Sequence, residues 1–348
     1  MGRRTMRVAM YYNNRDVRLE TLPVPKIGPG ELLVKVMASG ICGSDVLEWY
    51  RIKKAPIVLG HEIAGEVVEA GEGVDRFKPG DRVFVGHHVP CNTCRYCLAG
   101  NHTVCQTLHT TNFDPGGFAE YIRAPRINVD RGTFILPETM TWEEGSFVEP
   151  LACVIRGQRV AGFRPGMTVL VLGSGISGLL HIILAQASAA GRIMATDVSE
   201  YRKKKASQCG ADFVFDASDD IPARVREVND GHLADLVIVC AGALSAFKQA
   251  LKAVDRGGTV LTFATTDPGV EIPLPANEFW RNSIRVMPSY ANSPYDASLA
   301  IDLIASKRVE VASLVTHRLP LERTQEGFDL MTRQGGESIK VVVEPWEK

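Results

Sequence analysis

Residues 168–197 read TVLVLGSGISGLLHIILAQASAAGRIMATD. The run Thr168–Leu172 has strand composition and leads into Gly173, Gly175 and Gly178. A helical segment, Ile176–Ala189, follows, and a second strand, Arg192–Asp197, ends on a carboxylate. A GxGxxG pattern alone is weak evidence. A strand before it, a helix behind it and an acid about twenty residues on make it a dinucleotide-binding turn. The first glycine permits the tight turn. The second lets the backbone approach a pyrophosphate at the helix N-terminus, and the third lets helix pack on strand. Asp197 is placed to accept hydrogen bonds from an adenosine ribose, and its charge disfavours a 2′-phosphate, so NAD is expected over NADP. A glycine turn that serves another ligand is the alternative.

Outward from this stretch the chain alternates. Strand candidates recur at Phe213–Phe215, Leu236–Cys240, Thr259–Ala264 and Ser283–Pro288, with helical segments such as Glu200–Cys209 and Ala246–Val254 between them. Such alternation predicts a doubly wound parallel sheet of the Rossmann type with helices on both faces. The part before about Thr141 reads as β-rich, with strands at Arg7–Tyr12, Val17–Thr21, Leu32–Ala38 and Ile63–Ala70, and a restart at Gly116–Tyr121. Trp142–Glu149 and Leu151–Ala161 read as helices separated by Pro150. Beyond the alternating region, Tyr295–Ser306 and Leu321–Thr332 read as helices and Lys340–Glu344 as a final strand. The expected class is α/β in two domains: residues 1–153, rejoined by 289–348, and a Rossmann domain at 154–288.

Composition agrees with that division. A chain of 348 residues suits two domains. Hydrophobic residues make up 45% and charged residues 23%, a globular balance. A net charge of -1 gives no electrostatic reason to expect nucleic acid or a membrane surface as partner. The basic start has no apolar core of export-signal length behind it, because Arg7, Asn13, Asn14, Arg15 and Asp16 interrupt it. A cytoplasmic location is therefore expected. The uncharged run Pro165–Gly191 is broken by glycines and reads as strand, turn and helix, not as a membrane span.

Two groups of residues carry metal chemistry. Cys91, Cys94, Cys97 and Cys105 lie close together in sequence, while Cys42, Cys153, Cys209 and Cys240 are scattered. Four thiolates at those spacings can close a tetrahedron around a structural zinc; independent buried cysteines and a nucleic-acid-binding ribbon are the alternatives. The lobe's single arginine, Arg95, speaks against the ribbon. The stretch Gly40–Gly65 holds Cys42, His61 and Glu62, ligand types that zinc accepts, with Ser44 two residues past the thiol. By itself this set also reads as a small buried cysteine beside a solvated His-Glu pair. Glu149-Pro150 places a carboxylate at the domain boundary, and taken alone it is a helix-end charge. His181, inside an apolar helix, reads as a core residue. His87, His88, His102 and His109 read as loop residues around the cysteine lobe, and Lys203–Lys205 as a solvated helix face.

Taken together and in order, these residues resemble the zinc-containing medium-chain dehydrogenase family, near its polyol (sorbitol) and galactitol-phosphate branch. Cys42-Gly43-Ser44-Asp45, Gly60-His61-Glu62 and Glu149-Pro150-Leu151-Ala152 resemble its three zinc-site motifs. The resemblance implies a GroES-like catalytic domain beside the Rossmann domain, with the active site in the cleft. It implies two zinc ions per chain: a catalytic one on Cys42, His61 and either Glu62 or Glu149, and a structural one on the cysteine lobe. It implies NAD on Gly173, Gly175, Ile176, Ser177, Gly178, Asp197, Arg202, Ala241 and Ala264. Ser44 would contact the substrate oxygen, and Trp49, Phe113 and Tyr290 would line the pocket. The implied reaction is hydride transfer between a secondary alcohol and NAD, the metal lowering the pKa of the reacting oxygen. The implied assembly is a homodimer or homotetramer. Two departures stand out. Val46-Leu47 occupies the place where relatives have a relay histidine, and Ser289 precedes Tyr290 where some polyol dehydrogenases have an arginine. A threonine- or simple-alcohol dehydrogenase, a zinc-free reductase and a non-catalytic NAD-binding protein are the competing readings.

Overall fold

The structure is a computed structural model and describes residues 4–333 and 336–347. The chain divides into two compact units, 1–152 with 291–348, and 153–290. In the second unit six strands form one sheet in the order Phe213–Asp216, Arg192–Asp197, Thr168–Leu172, Ala234–Val239, Val254–Thr262, Arg285–Pro288. Every neighbouring pair is parallel. The central strand Thr168–Leu172 is buried over its last four residues. That fits its unbroken apolar run, because a strand covered on both faces needs no polar alternation. Phe215, Val225, Phe247 and Val260 are among the side chains that close the core on one face.

The glycine turn is held by its own geometry. Gly173 has φ +96°, a left-handed conformation that glycine adopts without steric cost. A Cβ on Gly178 would run into the Gly173 carbonyl, so the helix Ile176–Ala187 sits on the strand only because that position is bare. A Cβ on Gly175 would meet nothing within 4 Å, which leaves open space at the helix N-terminus.

The first unit is built on a seven-stranded sheet. Leu32–Gly40 lies between Glu62–Ala70 and Lys340–Glu344, and Tyr121–Ala124 also pairs with it. A smaller sheet orders Asp16–Pro23, Thr5–Asn13 and Ile57–Val58. Residues 32–40 are almost wholly buried. The terminal strand runs parallel to Val315–Pro320, a strand absent from the sequence reading because His317, Arg318 and Pro320 mask its pattern. Strand structure resumes at Tyr121, not at Gly116. The helix Arg126–Gly132 was also not foreseen.

Pro150 does not separate two helices. The break falls at Phe147, and Pro150 is the third residue of Val148–Val160. First-turn N–H groups have no intrahelical partner, so a proline costs little there. Thr141 and Glu144 form a reciprocal capping box that starts the short helix before it. Lys203 is not solvated either: its ammonium lies 2.8 Å from Asp216 and its side chain is 15% exposed, so it ties helix Glu200–Gln208 to the neighbouring strand.

The two glycines give opposite expectations. Gly178→Val should lower the thermal midpoint sharply or prevent folding. Gly175→Val should leave the midpoint of the isolated protein nearly unchanged but weaken NAD binding. Thermal scans with and without NAD check both, and an equal loss of stability in the two variants would contradict this packing account.

Candidate active site and metal centres

Cys42 lies two residues past the end of the strand Leu32–Gly40, and His61 directly precedes the strand Glu62–Ala70. Gly40 and Glu62 are cross-strand partners, so antiparallel pairing brings thiol, imidazole and carboxylate together. Their ligand atoms all lie within 4.8 Å of one another. Sulfur, imidazole nitrogen and carboxylate oxygen at that separation suit a zinc ion with a position left for substrate.

The surroundings tune these groups. Cys42 N–H donates to Asp45 Oδ2 at 3.1 Å, and Asp45 Oδ1 lies 3.3 Å from His61 Nδ1. With Nδ1 turned to a carboxylate, Nε2 is the nitrogen available to a metal. Burial opposes a charged His61. The Asp45 carboxylate and the Cys42 sulfur outweigh it and hold the imidazole well above its usual pKa. Burial likewise works against ionised Asp45, but His61, Arg51 and the Cys42 N–H keep its carboxyl below the usual range. The local field therefore favours positive charge between these groups, which a zinc ion would supply.

Glu62 is 1% exposed and is paired with Lys340, itself fully buried on the terminal strand. Lys340 Nζ also donates to the Ile41 carbonyl at 3.3 Å and lies 5.7 Å from the centre of the Phe147 ring. The ion pair reaches across the central strand at Gly40, where a Cβ would collide with both side chains. Glu149 lies outside the Cys42–His61–Glu62 group. It is buried in the first turn of Val148–Val160 and accepts from Asn292 Nδ2 at 3.4 Å.

Ser44 Oγ is 3.4 Å from Cys42 Sγ. Arg51 donates to Ser44 Oγ through Nη2 and to the Ser44 carbonyl through Nε, both at 3.0 Å. His87 proves to be more than a loop residue, since its ring lies tilted against that of His61, 4.7 Å between centres, and against that of His88 at 4.0 Å. Burial, then the neighbouring cations, push His87 well below the usual imidazole pKa. Of the expected pocket residues, Trp49 is 38% exposed beside Tyr50. Phe113 is buried in the apolar core and meets His87 edge-on at 6.5 Å. Tyr290 belongs to the other unit and is half-exposed. Next to it, Ser289 Oγ accepts from Arg156 Nη1 at 3.0 Å.

The cysteine lobe gathers the sulfurs of Cys91, Cys94, Cys97 and Cys105 within 4.8 Å of one another. Backbone N–H groups of Thr93 and Cys94 point at Cys91 Sγ at 3.4 and 3.2 Å, and the Cys91 N–H points at Cys105 Sγ at 3.4 Å. Thr93 and the N–H of Cys94 draw the Cys91 thiol down, toward the thiolate a metal needs. Arg131 braces the lobe by donating to the Cys91 carbonyl. The four sulfurs fit a closed zinc site.

In the second unit Asp197 organises the glycine turn. Its Oδ2 accepts from Ser174 N at 2.8 Å and its Oδ1 from Ser199 N at 2.9 Å. Ala241 borders Gly173. Ala264 N–H donates to Val239 at 2.8 Å beside the strand ends. Arg202 lies in the first turn of the helix that Ser199 caps. His181 is a buried core residue pushed down to about 3 by burial, with Gln158 bonded to its carbonyl at 2.9 Å.

Comparison with known proteins adds to this geometry. Residues 28–131 match the alcohol dehydrogenase GroES-like domain and residues 177–306 the zinc-binding dehydrogenase domain. The chain is 34% identical to sorbitol dehydrogenase of Gallus gallus over 339 residues, covering 94% of this chain and 93% of that protein. It is also 34% identical to sorbitol dehydrogenase of Bacillus subtilis, covering 98% and 97%. A solved zinc-binding dehydrogenase of Sinorhizobium meliloti bound to NADP superposes with a TM-score of 0.88 at 30% identity, over 98% of this chain and 100% of the other.

Two outcomes follow from the buried charges and thiols. Lys340→Met leaves Glu62 buried without its cation and should cost about 3–5 kcal/mol of stability, most of it recovered by adding Glu62→Gln. Equal denaturant midpoints for the single variant and the unmodified protein would contradict the pairing. Cys94→Ser should remove one zinc per chain by metal analysis and lower the thermal midpoint, because a structural zinc contributes directly to folding.

Proposed function

The chain belongs to the zinc-containing medium-chain dehydrogenase family, on its polyol dehydrogenase branch, and from that membership we propose a reaction for its site. The enzyme is a zinc- and NAD-dependent alcohol or polyol oxidoreductase. It oxidises a secondary alcohol of a small polyol, sugar or cyclitol to the carbonyl. The C–H electron pair leaves as hydride to NAD, and the hydroxyl proton is released to solvent. The observation that carries this reading is the Ser44 hydroxyl poised against the Cys42–His61–Glu62 group.

Cys42, His61 and Glu62 would hold the catalytic zinc, and Glu149, which lies outside that group, is the alternative carboxylate of this reading. Bound there, zinc would supply a Lewis acid for the reacting oxygen. Asp45 fixes the His61 ring. Lys340 offsets the charge of Glu62 and holds its carboxylate at the end of the central strand. Ser44 takes the proton of the substrate oxygen as it gives up its own. The second zinc would sit on Cys91, Cys94, Cys97 and Cys105. Gly173 to Gly178 with Asp197 would hold NAD. Trp49, with Phe113 behind His87, supplies the aromatic surface we assign to the substrate pocket. Hydroxyl and carboxylate groups beside that surface favour a polyhydroxy substrate over a long aliphatic one.

Among the described residues no helix is long and apolar enough to cross a membrane. The cysteines are in no disulfide, which accords with a reducing compartment, and we place the enzyme in the cytoplasm as a homodimer or homotetramer.

A panel of polyols, aldoses, inositols, their phosphates, threonine and simple alcohols, followed by NADH absorbance, tests the substrate. Turnover should be highest with a polyol, sugar or cyclitol. A clear preference for threonine or for long primary alcohols would refute that class. Initial rates with both cofactors should favour NAD, and Asp197→Asn should narrow the ratio, since it keeps an acceptor but removes the charge that repels a 2′-phosphate. Equal use of NADP by the unmodified enzyme would overturn the role of Asp197.

A further inference from the structure

Arg51 was not singled out in the sequence, yet it is the residue most tightly bound to Ser44. One plane of guanidinium makes several contacts. Nε meets the Ser44 carbonyl and Nη2 the Ser44 hydroxyl, both at 3.0 Å. Nη2 also lies 3.3 Å from Asp45 Oδ1, and the group rests 4.7 Å over the Tyr50 ring. The side chain is 14% exposed.

A guanidinium donates hydrogen bonds, accepts none, and keeps its proton in proteins. One lone pair of Ser44 Oγ is therefore committed to Arg51 in a bond whose direction cannot reverse. The hydroxyl hydrogen and the second lone pair remain for other partners. Among the described residues the other group near Ser44 Oγ is Cys42 Sγ, at 3.4 Å, so the hydrogen is aimed toward the Cys42–His61–Glu62 side.

We propose that Arg51 is a positioning residue for the reaction: it holds the Ser44 hydroxyl facing the reacting oxygen and closes the loop at residues 45–51 as an exit for protons. The inference rests on the dehydrogenase reading above. The substrate O–H bond breaks and its proton passes to Ser44 Oγ. As Oγ takes the substrate proton, the hydroxyl hydrogen turns from Cys42 Sγ and is released to water, since Arg51 cannot accept it. The C–H electron pair goes to NAD, and Arg51 neither gains nor loses a proton.

Arg51 has two ways to matter, and they are separable. One runs through Ser44 Oγ. The other runs through Asp45, whose Oδ1 is 3.3 Å from both Arg51 Nη2 and His61 Nδ1. Damage by the second route would reach the metal site whether or not Ser44 had a hydroxyl.

A double-mutant cycle decides between them. Arg51→Met, Ser44→Ala and the double variant are assayed for kcat and KM with the preferred alcohol, together with zinc content and thermal midpoint. Arg51→Met should lower kcat about 10²-fold with KM changed less than about threefold and zinc content unchanged; the midpoint should fall, because Asp45 loses one of its two cationic partners. The double variant should be no more than about threefold slower than Ser44→Ala alone. Added guanidinium ion at low concentration should restore about tenfold of the activity of Arg51→Ala. Losses that multiply in the double variant, or zinc lost from Arg51→Met, would overturn the proposal. Should Arg51→Met fail to fold, Arg51→Lys decides: it keeps the charge without the fork, so a loss of about tenfold is expected with Ser44 present and none with Ser44→Ala. Equal loss in both backgrounds would overturn it. If the unmodified enzyme oxidises no alcohol, the functional reading fails and this proposal with it. Turnover with multiplicative losses removes this proposal alone.

Discussion

Negative charge gathered out of water is the constraint on which the first unit turns. Asp45, Glu62 and Glu149 are all buried, and Cys42 adds a sulfur that a metal would hold as thiolate. Buried carboxylates at such density are stable only if each has a cation or donor at hydrogen-bonding distance. Lys340 serves Glu62, Arg51 and His61 serve Asp45, and Asn292 serves Glu149. The cations come from remote parts of the chain. A lysine on the last strand, fully buried, has few ways to exist in a protein, and pairing across the bare Gly40 is the one used here. Metal binding and fold stability thus share the same electrostatics.

The sheet explains how residues so far apart in sequence meet. The strand Leu32–Gly40 pairs on one side with Glu62–Ala70 and on the other with Lys340–Glu344. All three carry site residues at the same end, around Gly40. Cys42 leaves that end, His61 enters it, and Lys340 reaches over it. The pairing of Leu32–Gly40 with Glu62–Ala70 carries two register shifts and ends with Gly40 opposite Glu62. The pairing of strands therefore brings the loop residues Cys42 and His61 together with Glu62 at that end.

Much of this was legible in the sequence, and the unread part has a common cause. Apolar runs and glycine spacing marked the Rossmann strands, because those patterns are local. The cysteine lobe and the Cys42, His61 and Glu62 motifs were legible for the same reason. Lys340, Arg51 and Asn292 were not. Each acts through a partner that only tertiary structure supplies, and each looks ordinary in sequence. A lone lysine heading Val341-Val342-Val343 was the one available signal, since an apolar buried strand has no other use for an ammonium group. Ser289 makes a related point. Sequence shows that no arginine precedes Tyr290, but the structure supplies a guanidinium at Ser289 from Arg156, on a helix far back in the chain.

The eight cysteines show how far environment, not residue type, sets chemistry. Cys240 and Cys209 are pushed up by burial, and among the described residues neither belongs to a cluster of potential metal ligands. Cys91 has the opposite surroundings: N–H groups and the Thr93 hydroxyl face its sulfur and pull it down. The two metal-capable groups differ in the same physical terms. The lobe brings four sulfurs together and directs backbone donors onto them, so a zinc ion there would have a full set of ligands and nothing to offer a substrate. Cys42, His61 and Glu62 supply three donors, while Glu149 stands outside the group, bonded to Asn292. A site with three donors and a hydroxyl alongside retains a place for a reacting oxygen. The two metal-capable groups thus differ in their donors: four sulfurs in the lobe against one sulfur, one imidazole and one carboxylate at Cys42, His61 and Glu62.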